Sequence, residues 1–343
     1  RFGACTVLPG RVSLFWARCA MKYTKPALTD AQLLARWQAK GLAVPDVPAA
    51  ERALCFIGYF RLRGYALPLM NTTPAGRVFK AGVKFDDIVA RYELDRELRR
   101  ITLGQLERIE VAVRTVISNQ MSLQYGPFWY LNYPDQVLGH APSRRGGTEP
   151  FPLGSFLSEV ERETHRSRDL FAQHYFKTYT EPLLPPSWLM VECLSFGKWS
   201  LLYKHLQKAD PKHPNPKKVV AKAFGLSVSL LESWLHALTI LRNICAHHGR
   251  VWNRRFAYRP EVYAQAPQHF TDQQTYYCLA VVMRLFSRPV DTHDEWPIRL
   301  MDLFKAHPTI APADLGFPAS QARSPCRRNG DLQDHLERHY SRI

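Results

Sequence analysis

The sequence predicts an all-α fold, and three observations carry that reading. From Met21 onward, apolar residues recur at spacings of three and four through segment after segment. The stretch 85–121 contains no proline and keeps that period throughout. No internal repeat and no strand–turn–strand rhythm runs through the chain.

Each element follows from local signals. "LTDAQLLARWQAKGL" carries a Thr29/Asp30 start and a Gly41 stop around a periodic apolar face. "VPAAERALCFIGYFRLRGY" places Pro48 at a first helical position, with Ala53, Phe56, Ile57 and Phe60 expected on one buried face. The Pro/Gly-punctuated stretch 66–84 suits a short hairpin. The run 85–121 is long for one helix, and Gly104 is its expected kink or break. Residues 131–154 read as a loop, with Pro134, Pro142, Pro150 and Pro152 among Gly139, Gly146, Gly147 and Gly154. Helical patterns resume at 155–178, 187–207, 216–224, 228–249, 270–287 and 293–306. A polar tail, 319–343, is rich in Arg and His. The chain opens at Arg1, and Arg11 and Arg18 interrupt any apolar centre of a signal peptide. Met21 is therefore the expected beginning, with 1–20 an upstream, disordered segment and 21–318 one helical body.

Composition narrows the function. Hydrophobic residues make up 46% of the 343 and charged residues 22%, which excludes the disordered class. Forty-six Lys and Arg against thirty Asp and Glu leave a net charge of +16, so a polyanion leads the list of partners. Seven scattered cysteines without a C-x-x-C pair fit reduced thiols in a cytoplasmic protein. The apolar run "LAVVM" before Arg284 is too short to span a bilayer, so no membrane partner is expected. His140, His165, His174, His205 and His213 lack metal-ligand spacing, and no P-loop or Rossmann glycine pattern occurs. Neither a metal nor a cofactor is expected.

The positive charge is concentrated in two stretches. Between Glu192 and Glu232 the one acid is Asp210, against Lys198, Lys204, Lys208, Lys212, Lys217, Lys218 and Lys222. That pattern suits either a solvated helix face or a face that holds RNA through residues such as Lys217 and Lys218. From Arg242 to Arg259 there are five arginines and no acid. Arginine forks suit phosphates, and Trp252 and Tyr258 are expected to stack on bases.

On a helical wheel Leu231, Leu235 and Leu238 form one line, and Arg242 continues it. His247, five residues on, would sit about 140° further around a regular helix, with Asn243 and Ala246 between the two. An imidazole that titrates near neutrality can take a proton from a 2′-hydroxyl or give one to a leaving 5′-oxygen. A guanidinium can neutralise charge that develops on the phosphorus. One histidine does not readily perform both transfers, so two copies meeting across a two-fold axis are expected. The spacing R-x4-H is weak alone: Arg288 to His293 repeats it across a proline. The plainer reading is an ion-paired arginine and a hydrogen-bonded helix-end histidine. Glu110 forms either a helix-surface pair with Arg114 or a counter-charge to Arg242 across the bundle. Gly197 in "LSFGKWS" suits a helix crossing, and Tyr59, Arg61 and Tyr65 read as packing residues.

The string "LRNICAHHGRVWNR" (241–254) resembles the signature of the Abi-like (AbiD/AbiF) abortive-infection family of the HEPN superfamily, R-[N/H/D]-x3-H near a helix end. "YTKPALTDAQLLARWQAKGLAVPD", "IGYFRLRGYALPL", "FDDIVARYELDRELRR", "IEVAVRT" and "PSWLMVECLSFGKWSLLYKHL" extend the resemblance, in order, over roughly 21–306. It implies a HEPN-type helical bundle with an N-terminal helical extension. It further implies a homodimeric, metal-independent endoribonuclease that acts as a toxin in phage defence. Arg242, Asn243 and His247 are its implied catalytic residues, and His248, Arg250, Asn253 and Arg254 its implied RNA contacts. A structured non-coding RNA is an implied controlling partner. The alternative is a non-catalytic RNA-binding protein that holds a structured RNA on its basic face.

Overall fold

Local capping chemistry opens the first unit of the chain. In the computed structural model, which describes residues 24–318 apart from 75, 144, 145, 210 and 292, α1 spans Asp30–Gln38. The Thr29 hydroxyl accepts from the Gln32 amide at 3.3 Å, and the Gln32 side chain accepts from the Thr29 amide at 2.9 Å. These two bonds close a reciprocal box over donors that the first turn leaves unpaired. Gly41, at φ 87°, takes the left-handed turn that stops the chain from continuing as helix.

The run 47–65 divides into α2 (Val47–Ile57) and α3 (Tyr59–Ala66), because Gly58 takes φ 91° between them. That break corrects the expected apolar face. Phe56 and Phe60 are 83% and 79% exposed, while Ala50, Leu54, Leu62, Tyr65 and Ala66 are buried. A period read across Gly58 joins residues of two differently directed helices. The expected hairpin is present as β1 (Met70–Thr73) paired antiparallel with β2 (Gly76–Phe79). Trp37 centres this unit, its ring 4.9 Å from Tyr59, 6.2 Å from Phe79 and 6.0 Å from Phe85.

A second compact unit begins at Asp86. Its spine is α4 (Phe85–Tyr125), a single helix of 41 residues that passes through Gly104 without a break. Leu94, Leu98, Leu106, Ile109, Val113, Ile117 and Met121 are fully buried at helical spacing, so tertiary packing sustains a length that propensity alone would not. The expected loop 131–154 begins inside the single-turn α5 (Trp129–Asn132) and contains a second single turn, α6 (Pro134–Val137), and a minimal β3 (Ala141–Pro142)–β4 (Thr148–Glu149) pair. The run 155–178 divides into α7 (Leu153–Arg166) and α8 (Leu170–Thr178), and 187–207 into α9 (Ser187–Cys193) and α10 (Phe196–His205).

The rest is α11 (Pro216–Ala223), α12 (Val228–Ala246), α13 (Tyr276–Ser287) and α14 (Trp296–Ala306). Helix accounts for 61% of the structure and strand for 6%, so the fold is all-α. α12 packs against α10, α11 and α13. A Cβ on Gly197 would lie 3.5 Å from the Thr239 methyl, which places the glycine of "LSFGKWS" at the α10–α12 crossing. α4 ties to α13 through Thr102 and Tyr276 hydroxyls 2.8 Å apart, and to α9 through Ser118 and Ser187 at 2.9 Å.

Among the described residues no single helix is long and apolar enough to cross a membrane. α11 and α12 meet that criterion only as a pair bent by 69°. Cys55, Cys193, Cys245 and Cys278 are free thiols. The expectations for 1–20 and 319–343 lie outside the described residues.

Candidate functional site

The end of α12 is a Schellman turn built on two histidines. The helix stops at Ala246, three residues earlier than the pattern suggests, with His247 as its C-cap. The Gly249 amide donates to Ile244 O at 2.7 Å and the His248 amide to Cys245 O at 3.1 Å, which satisfies carbonyls the helix end would leave unpaired. Such a turn needs one left-handed residue, normally glycine. Here it is His248, at φ 57°. A Cβ on Gly249 would stand 3.1 Å from Ile244 O, so the glycine serves close approach rather than the left-handed turn. His247 therefore does not sit 140° around a continuing helix. It and His248 lie exposed on the cap.

Arg242 lies one turn back on the line of buried Leu231, Leu235 and Leu238, with its side chain 33% exposed. Its Nε donates to Glu110 Oε2 at 3.2 Å, the cross-bundle pair weighed from the sequence. Glu110 also faces Arg114 at 3.7 Å, so one largely buried carboxylate stands between two guanidinium groups. Arg114 is itself tied to the carbonyls of Val191 and Leu194 at 3.2 and 3.3 Å. Arg242 Nη1 reaches the exposed Asn243 Oδ1 at 3.4 Å. Glu110 and Asn243 thus hold the Nε and Nη1 sides of the guanidinium, and its remaining N–H groups are those that can meet an anion.

Beyond the histidines the chain is anchored by Asp95, a residue that sequence reasoning missed. Its fully buried carboxylate accepts from the amides of Val251 at 3.1 Å and Trp252 at 2.6 Å, and pairs with Arg99. In "ARYELDRELRR" it resembles its neighbours Glu93 and Glu97, which pair at the surface with Arg96 and Arg100. The available signal is periodicity, since Asp95 falls between buried Leu94 and Leu98 on the apolar side of α4.

Trp252 is 1% exposed, with the Arg91 guanidinium 5.8 Å from its ring centre. The expected stacking of bases on this indole is corrected on that ground: it is core. Tyr258 is also engaged, with its hydroxyl 3.3 Å from Ser233 Oγ and its ring 4.5 Å from that of His236. Burial, and next the charge of Asp95, pushes the Cys245 thiol up to about 12, so it is no nucleophile at neutral pH.

The remaining basic residues divide sharply. Arg254 and Asn253 are exposed, and Arg250 is half-buried. Arg250 Nη1 donates to Asn253 O and Arg254 Nη1 to Arg250 O, each at 3.2 Å, and among the described residues neither arginine pairs with a carboxylate. Arg255 pairs with Asp272, and Arg259 reaches Gln274 at 3.3 Å. Lys217, expected at an RNA surface, instead closes inward, donating to Glu232 at 3.0 Å and to the Lys204 carbonyl at 2.6 Å. Lys218, its neighbour on α11, is exposed.

A protein-family model described as Abi-like protein matches residues 52–253, more than half of the chain. The chain belongs to the Abi-like family. No curated protein and no solved structure matches it. Membership points to abortive-infection defence. The Abi-like match takes in Arg242, Asn243, His247, His248, Arg250 and Asn253, together with both of their buried braces, Asp95 and Glu110. Among the described residues of this Abi-like chain, no group of three or more His, Cys, Asp or Glu side chains could hold a metal ion. Exposed imidazoles beside a guanidinium held by Glu110 are groups that can move a proton and meet an anion.

Proposed function

We propose that this Abi-like chain is a metal-independent endoribonuclease of the HEPN type and the toxin of an abortive-infection system. The observation that supports it best is the exposed His247–His248 pair on a hydrogen-bonded helix end, one turn from Arg242. In the reaction, one imidazole takes the 2′-hydroxyl proton and the 2′-oxygen attacks the adjacent phosphorus. The P–O5′ bond breaks, and a second imidazolium protonates the leaving 5′-oxygen. The products are a 2′,3′-cyclic phosphate and a 5′-hydroxyl. Arg242 faces the charge that gathers on the phosphoryl oxygens, and Asn243 orients the phosphate. Two copies of the chain supply His247 and Arg242 across a two-fold axis. His248, Arg250, Asn253, Arg254 and Lys218 hold the RNA strand, and a structured non-coding RNA on the exposed α11 face restrains the toxin in the cytoplasm.

The test uses purified protein stripped of nucleic acid, mixed single-stranded and transfer RNAs, and EDTA throughout. Fragments that end in cyclic phosphate, formed by the wild type and lost in His247→Ala, support the reading. Intact RNA that stays bound to the wild type with a steep salt dependence overturns it in favour of a binding protein.

A further inference from the structure

We propose that Asp95 is the positioning residue of the corner 247–254, acting through the backbone of Val251 and Trp252; the proposal rests on the ribonuclease reading above. Asp95 receives both amides of the two residues that follow "HHGR", and its second oxygen meets Arg99 and stands 3.3 Å from the Val251 amide. A buried ion pair is weak evidence for stability, because desolvation offsets most of its attraction. Apolar side chains of the same volume would hold α4 to this loop as well. They would not fix the direction of two peptide units.

That direction matters because the clamped pair lies between two strained residues. His248 at φ 57° precedes it and Asn253 at φ 48° follows it, both left-handed without being glycine. Such conformations persist where the surroundings over-determine them. The Schellman turn holds one side of His248, and the Asp95 clamp, with Trp252 sunk beside Arg91, holds the other. Released from the carboxylate, residues 247–254 would relax toward ordinary dihedrals and carry His247, His248, Arg250 and Arg254 with them. Misplacing a catalytic group by about 1 Å costs on the order of a hundredfold in rate.

The experiment follows amide hydrogen exchange at Val251 and Trp252, alongside kcat and KM for RNA cleavage in EDTA. It compares the intact wild type with Asp95→Asn, whose amide oxygen still accepts from both backbone amides, and with Asp95→Leu/Arg99→Met, which removes that acceptor. Arg99→Met removes the guanidinium that loss of the carboxylate would leave buried without its partner, so the double variant keeps a neutral, apolar pair of similar volume. In the wild type both amides exchange as slowly as the core of α12. In the folded double variant they exchange at least about tenfold faster while α12 keeps its protection. There kcat falls about tenfold to a hundredfold and KM for RNA stays within about threefold. The proposal is overturned by fast exchange at these amides in the wild type, by unchanged exchange or kcat in a folded double variant, or by a double variant that fails to fold. An inactive wild type whose amides still depend on Asp95 removes the ribonuclease reading and leaves the clamp standing.

Discussion

Two stretches carry the chain's excess of positive charge, and the fold treats them in opposite ways. In the lysine stretch Lys198 pairs with Glu159, Lys204 with Glu149 and Lys217 with Glu232, carboxylates that lie up to 55 residues away in sequence. Those lysines are joints between elements. In the arginine–histidine corner Arg242 pairs inward with Glu110 and Arg255 pairs with Asp272 at the surface, while His247, His248 and Arg254 stay exposed. A count of charges along the chain makes the two stretches look alike. What separates them is where their counter-charges come from, which is a property of the fold.

That contrast breaks most visibly in activity. Arg242→Ala and His247→Ala each lower RNA cleavage by about a thousandfold, read as cyclic-phosphate product. His247→Ala changes urea stability by less than about 0.5 kcal/mol because the ring is exposed. The next largest effect belongs to the brace. Glu110→Ala leaves Arg114 and Arg242 facing each other without their shared carboxylate and costs about 2 kcal/mol in urea unfolding, a figure reduced because Arg242 is partly solvated.

Lysine and arginine then part company. Lys217→Met destabilises by about 1 kcal/mol and leaves the salt dependence of RNA binding unchanged. Arg254→Ala or Lys218→Ala leaves stability unchanged and lowers the slope of log affinity against log salt by about 0.7 each for single-stranded RNA. The smallest effect is one of pH. His205, inside the lysine stretch, donates from Nδ1 to the Gly139 carbonyl at 2.8 Å, and burial pushes its imidazole below the ordinary range. The unfolded chain then takes up that proton first, so stability declines as pH falls through about 6.5. Unfolding midpoints between pH 7.5 and 5 fall less steeply in His205→Gln.

Much of this was legible in the residues, for identifiable reasons. The Thr29/Asp30 start, Pro48 in a first turn and the hairpin within 66–84 are local devices, complete within a few positions. The apolar line of α12 with Arg242 on it was equally plain, and Glu110, weighed as a partner of either Arg114 or Arg242, faces both. What failed to show were consequences of distance. Phe56 and Phe60 matched a helical period that Gly58 interrupts. Asp95 and Arg99 have the spacing of a surface pair, and nothing near them announces amides 156 and 157 residues away. Trp252 looked like a base-stacking ring because its burial depends on α4, which the motif does not contain.

The most direct measurement is cleavage of one RNA in EDTA beside the same RNA carrying a single 2′-deoxy sugar at the cut position. Attack by the 2′-oxygen makes the cut vanish at the deoxy position, with fragments elsewhere ending in 2′,3′-cyclic phosphate and beginning with a 5′-hydroxyl. A cut that persists at the deoxy sugar and leaves a 5′-phosphate would contradict it.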